Sequence, residues 1–224
     1  MDKSDTREKL VLAAERLFAE KGIDNVSLRE INRAAGQKNV AALHYHFGAR
    51  EALLEAIFER RMSGINRRRV AMLDAIEASG REPDVRAVVE ALVLPLAEQL
   101  DPAADGGHYI RFLAQAISDP GVDVGELVRD KFDHGMARTR ALARALFADL
   151  PPEIVDQRMR LASAHMVQAL ADTARRLATG RKPDRAGGTA LFVANLIDTI
   201  AGALSAPVSD ETLALLADAA RQSA

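Results

Sequence analysis

SLREINRAAGQKNVAALHYHFGAREALL, residues 27–54, is the stretch on which the fold turns. "SLRE" sets a serine and a glutamate three positions apart, the capping-box spacing in which the Ser27 hydroxyl and the Glu30 carboxylate reciprocally satisfy free amides at a helix start. A helix therefore begins near Leu28. It is short, because Ile31, Ala34 and Ala35 lead straight into Gly36, which permits a sharp turn. A further helix over about 38–45 puts Leu43 and Phe47, at i and i+4, inward and leaves Lys38, Asn39, Ala41, Ala42 and Tyr45 outward. Such an outward face, small and polar, is wrong for a buried core.

Upstream, Leu10, Ala13, Ala14, Leu17 and Phe18 fall at i, i+3, i+4, i+7 and i+8, one face of a helix over residues 4–21 that Gly22 stops. The three segments together read as a helix-turn-helix on a supporting helix. Downstream, a long helical pattern covers about 50–78, with Leu53, Leu54, Ile57, Phe58, Ile65, Met72 and Ile76 apolar. Turn-rich stretches such as "REPD", "SDPGVD" and "TGRKPDRAGG" then separate helical segments at roughly 84–100, 107–118, 124–148, 152–178, 189–204 and 210–222. No strand pattern and no internal repeat interrupts them, so the fold class is all-α: an N-terminal three-helix unit over residues 1–48, and a larger helical unit over 49–224.

The 224 residues are 48% hydrophobic, 28% charged and only 4% aromatic, a soluble globular composition. With no cysteine, disulfides, thiolate metal sites and a cysteine nucleophile are excluded. "MDKSDTREKL" has no apolar h-region, and no uninterrupted apolar run reaches about 18 residues. A cytoplasmic protein with no membrane partner is expected. The net charge of −2 hides an asymmetry: residues 1–69 hold 14 of the 30 Lys+Arg and 10 of the 32 Asp+Glu, net +4, against net −6 for the rest. A basic unit precedes an acidic one.

That asymmetry gives the small polar helix a use. Ala41 and Ala42 let backbone approach base edges in a major groove, Lys38 and Asn39 can donate to bases or phosphates, and Tyr45, His46 and Arg50 are placed for the flanking phosphates. The same residues carry a family likeness. "AAERLFAEKG", "SLREINRAAG" and "LHYHFGAREALL" resemble, in that order, the DNA-binding domain of the tetracycline-repressor (TetR) family. Beyond about residue 60 the chain resembles the family only in size and helical character.

The resemblance implies a homodimer that binds double-stranded operator DNA, most simply as a repressor, and is released by a small-molecule effector. It implies DNA contacts from Ser27, Arg29, Lys38, Asn39, Val40, Ala41, Ala42, His44, Tyr45, His46 and Arg50. Three departures stand out. One residue more than usual lies between Gly36 and Phe47, His44 takes the place of a common phosphate-contacting tyrosine, and Ala49 replaces a side-chain cap.

Effector contacts are expected from His108, Phe112, Gln115, His165 and Gln168, polar or aromatic positions on otherwise apolar stripes. The same residues suit polar contacts in a dimer interface or core, which is the better reading of them. His44 and His46, two apart, point to different sides of a helix, so "HYH" is no metal site, and no cofactor is implied. Arg67, Arg68 and Arg69 read as a solvated charge run. No nucleotide-binding, hydrolase or zinc-protease motif occurs, so no enzyme is expected. The competing reading is a helical ligand-binding or adaptor protein without sequence-specific DNA binding. Apolar residues around more than half of the 152–178 and 189–204 helices predict pairing with their copies in a four-helix interface. The 50–78 helix is then the lever between effector and DNA.

Overall fold

The computed structural model describes residues 3–37, 41–80, 82–101, 107–129, 131, 134–180 and 188–222, and these contain helices and no strands. The head consists of α1 (Lys3–Lys21), α2 (Leu28–Ala34) and α3 (Ala41–Phe47), with α4 (Arg50–Ala78) leading out of it. Leu10, Ala13, Ala14, Leu17 and Phe18 of α1 are all buried, as their spacing requires, and they meet Ile31, Leu43 and Phe47. Gly22, at φ +86°, donates its amide to the Phe18 carbonyl at 2.9 Å and closes α1. Gly36, at φ +69°, makes the turn after α2.

Ser27 caps α2, accepting from the Glu30 amide at 3.2 Å. Lys21, with its Nζ 2.5 Å away, and the Ser27 amide hold the Glu30 carboxyl below the usual carboxylate range. α3 runs two residues past its expected end, because burial of the Phe47 ring keeps that residue on the helix and the left-handed Gly48 then stops it. Ala49 opens α4 with no side-chain cap.

The body holds α5 (Val85–Ala97), which a 3-10 turn extends through Glu98–Leu100, then α6 (His108–Ser118), α7 (Val124–Val128), α8 (His134–Leu146), α9 (Pro152–Ala178), α10 (Gly188–Ser205) and α11 (Asp210–Gln222). α5 is the most enclosed, packed by α4, α8, α9 and α10. α6 joins body to head: it packs on α9 at one side and on α1 at the other. A side chain at Gly107, at φ +73°, would place its Cβ 2.9 Å from the Ala174 Cβ of α9.

Two expectations need correction. The single helix over 124–148 is two, because Gly135 at the start of α8 is seated on α4: its amide donates to Asn66 Oδ1 at 3.1 Å, and the Asn66 amide meets the His134 ring. Asn66 is far away in sequence, so local periodicity carries no trace of the break. The arginine run is not uniformly solvated. Arg67 is exposed and Arg68 pairs with Glu98, but Arg69 is only 2% exposed.

The cause of that burial is Pro95, inside α5. Proline has no amide, so the Ala91 carbonyl four residues back loses its helical donor. Arg69 Nε donates to Ala91 O at 3.2 Å and Nη2 to Leu92 O at 3.3 Å.

Candidate nucleic-acid interface

α2 is held by Ser27 and by the Lys21–Glu30 pair, and α3 by burial of Leu43 and Phe47. What they leave outward is cationic and phenolic. Arg29 and Arg33, one turn apart on α2, are exposed, and Tyr45 on α3 is 70% exposed. His46 is half-buried and packs edge-on against Tyr45, with ring centroids 5.3 Å apart. The Arg7 guanidinium sits 5.3 Å from the Phe47 ring centroid and stiffens the end of α3.

Of the expected contacts, Lys38, Asn39 and Val40 lie outside the described residues, as do the side chains of Ala41, Ala42 and His44. Ser27 is exposed, but its hydroxyl is occupied in capping α2.

Arg50 is placed differently from a phosphate clamp. Its Nη1 and Nη2 donate to the Ile23 and Val26 carbonyls at 2.6 and 2.8 Å, and Asp24 lies 3.9 Å away. It braces the α1–α2 connection, adding to the long turn bond from the Val26 amide to the Ile23 carbonyl at 3.5 Å. Arg33, not among the expected contacts, is exposed on the same face as Arg29, as its i+4 spacing requires.

The head is fixed to the rest by buried polar contacts. Arg61 of α4 grips Glu15 of α1 with two parallel bonds of 2.7 and 2.8 Å, with the side chains 9% and 2% exposed. Arg111 of α6 donates to the Ala19 carbonyl at 3.1 Å, and Phe18 stacks on Phe112 at 6.1 Å. His108 lies 3.9 Å from Glu20, and burial, with Arg111 nearby, lowers its pKa.

The five expected effector contacts do not converge. Phe112 is wholly buried among Phe18, Phe58 and Tyr109. His108 lines a groove of about 430 Å3 between α1, α2 and α6, floored by Leu12, Ala13, Ala34 and Ala35. Gln115 is exposed near Gly22. His165 and Gln168 are exposed on α9, sharing an outer face with Leu161, because the inner stripe is Val155, Met159, Ala162, Met166 and Leu170.

Comparison with known proteins places this arrangement. Residues 10–57 match the family described as bacterial regulatory proteins, tetR family, and residues 90–203 match the tetracyclin repressor-like C-terminal domain. Among solved structures, a TetR-family transcription regulator from Shewanella sp. PV-4 is similar at TM-score 0.57 and 17% identity, over 87% of this chain and 97% of that one. The fatty acid degradation regulator FadR of Bacillus halodurans is similar at 0.56 and 15%, over 87% and 97%. NalD of Pseudomonas aeruginosa, the secondary repressor of the MexAB-OprM multidrug efflux pump, is similar at 0.51 and 20%, over 89% and 96%. At these identities the structures speak for the fold, and the two family matches, which between them take in the head and most of the body, show that this chain belongs to the TetR family of DNA-binding transcriptional regulators.

Proposed function

We propose that the protein is a cytoplasmic, non-enzymatic repressor that binds a palindromic operator as a homodimer and is released by a small-molecule effector. Residues 1–48 form the DNA-binding unit and 49–224 the sensing and dimerising unit. The observation that carries this reading is the exposed Tyr45 on α3, flanked by Arg29 and Arg33 beyond the Gly36 turn. A tyrosine 70% exposed, on a helix that buries Leu43 and Phe47, is presented on the outer face where DNA would lie. Residues 38–42 and His44 supply the remaining groove and phosphate contacts. Arg50 serves as the positioning residue of the head, and Ser27 contributes through its cap.

Dimerisation through α9 and α10 is supported by what they leave uncovered. Leu161 is 70% and Leu191 54% exposed. α10 is long and apolar enough by composition to cross a membrane, yet only 22% of that window is buried. Its outer face also carries Asn195, Asp198 and Thr199, with Asp198 paired to Arg86, which suits a protein interface better than lipid. Two heads on such a dimer must meet half-sites about 34 to 36 Å apart, or a multiple of that.

Selection of bound fragments from genomic DNA, followed by gel shift, tests the reading. Enrichment of one inverted repeat, with Tyr45→Ala lowering affinity for that operator and its sequence variants alike, is the expected outcome. No enrichment over bulk DNA would favour the helical ligand-binding or adaptor reading.

A further inference from the structure

α11 has an apolar face and buries none of it. Leu213, Leu216, Ala217 and Ala220 fall at i, i+3, i+4 and i+7, while Glu211, Asp218 and Gln222 lie opposite. Yet no residue of the helix is buried, Leu213 is 41% and Leu215 63% exposed, and α11, unlike α5, α6, α8, α9 and α10, contributes nothing to the core. A helix of 13 residues is marginal in water by itself, so this one needs a cover. Its start is firmly set all the same. Ser209 Oγ accepts from the Thr212 amide at 3.3 Å, and Arg158 of α9 donates to the Leu204 and Pro207 carbonyls at 2.7 and 3.4 Å.

Arg158 belongs to the stripe that continues through Leu161, His165 and Gln168, the outer face of α9. α11 therefore leaves the body at the edge of the face proposed above to meet a second copy. Of the six large apolar side chains left exposed among the described residues, Leu161, Leu191, Leu213 and Leu215 lie on α9, α10 and α11, and such clustering marks an interface. A groove of about 430 Å3 lies between α5 and the N-terminal half of α10, lined by Leu94, Ala97, Val193, Ala194 and Ile197, with Arg86, paired to Asp198, at its rim. A lipid surface is a poor alternative cover for α11, because Asp210, Glu211 and Asp218 against the single Arg221 make the helix acidic.

We infer that α11 is an exchanged arm, which packs its Leu213–Leu216 face into the α5–α10 groove of a second copy of this chain. The inference rests on the α9–α10 dimer reading above and adds a reciprocal contact to it. In an isologous pair whose α10 helices run antiparallel, the C-terminal end of one, where α11 begins, lies beside the N-terminal half of the other, which is the half that forms the groove. From there α11 extends about 20 Å, enough to lie along the groove. The wall of that groove includes Glu98, which pairs with Arg68 of α4 at 2.9 Å. Each arm thus bears on the lever of the other protomer, and the two heads are tied together through their C-termini.

The test is disulfide trapping between copies, made clean by the absence of any native cysteine. Full-length Val193→Cys and Leu216→Cys chains, co-expressed with different tags and mildly oxidised, are expected to give a mixed two-chain species on a non-reducing gel that neither variant gives alone. In parallel, the double variant Leu213→Glu/Leu216→Glu should raise the dimer dissociation constant by about 100-fold or more, since four leucines leave buried sites across the two arms, with the helical circular dichroism unchanged. A wild type that sediments as a dimer while the mixed species fails to form would overturn the arm and leave the dimer. A disulfide that closes within one chain of a Val193→Cys/Leu216→Cys double variant would overturn it too, by folding α11 onto its own groove. Flotation of wild type, but not of Leu213→Glu/Leu216→Glu, with vesicles of phosphatidylcholine and phosphatidylglycerol would assign the helix to lipid instead. A monomeric wild type would remove the dimer reading and the arm together.

Discussion

Removing Arg69 should cost much more when Pro95 is present than when it is absent. In the native chain Arg69 Nε is the donor that reaches the Ala91 carbonyl, 3.2 Å away, because Pro95 has no amide to offer it. Arg69→Met keeps most of the buried stem and removes the charge together with that donor, so the carbonyl is left buried and unsatisfied, at a cost of about 1 to 3 kcal/mol. In a Pro95→Ala background the new amide at 95 sits one helical turn from the same carbonyl and can take over. Arg69→Met should then lose that part of its penalty, giving a coupling of about 1 to 3 kcal/mol between two residues 26 positions apart. Urea unfolding of the four proteins at one fixed protein concentration measures it, since any dimerisation would add a concentration-dependent contribution. Effects that add to within about 0.5 kcal/mol would refute the argument that Arg69 stands in for the missing amide.

Gly135→Ala should destabilise the protein by about 1 to 3 kcal/mol, because the added methyl falls on Asn66 Oδ1; denaturant midpoints read this directly. Leu161→Glu should turn the proposed dimer into a folded monomer, visible by sedimentation with unchanged helical circular dichroism. A variant that stays dimeric would move the interface elsewhere. His108 carries a pH signature. Its native pKa is held below 6.5 by burial, so the unfolded chain takes up the proton first as pH falls. Stability is lost as pH drops from about 6.5 towards the lowered native value, and His108→Gln should flatten that part of the stability–pH curve.

Most of the head was legible because its determinants are local. The capping serine, the glycine turns and the i, i+4 pair Leu43 and Phe47 act within a few residues of one another, and the structure holds each where the spacing puts it. The internal engagement of Arg50 was not legible, for the opposite reason. An arginine at the mouth of a recognition helix has the charge for a phosphate, and only the fold shows that two carbonyls 24 and 27 residues upstream already occupy it. Arg69 and the α7–α8 break share that origin: each is decided by a residue on another helix, Pro95 in one case and Asn66 in the other. The effector positions scattered because His165 and Gln168 are polar members of an outward face, and amphipathic periodicity does not say whether such a face meets water, a ligand or a second chain.

The seat of α6 bears on how this regulator can diverge. That helix starts at Gly107, pressed against Ala174 of α9, and lies along α1 with Arg111 on the Ala19 carbonyl. It thus works as a calliper bar between the helix proposed to join two copies and the helix that carries each head. A change of a fraction of an ångström at the α9 contact rotates the head about its attachment and alters the half-site separation the dimer can span, with no change in any residue that touches a base. Substitution at position 107 is therefore a way to move between operators of different spacer length, and relatives with a larger residue there should prefer operators spaced differently from this one.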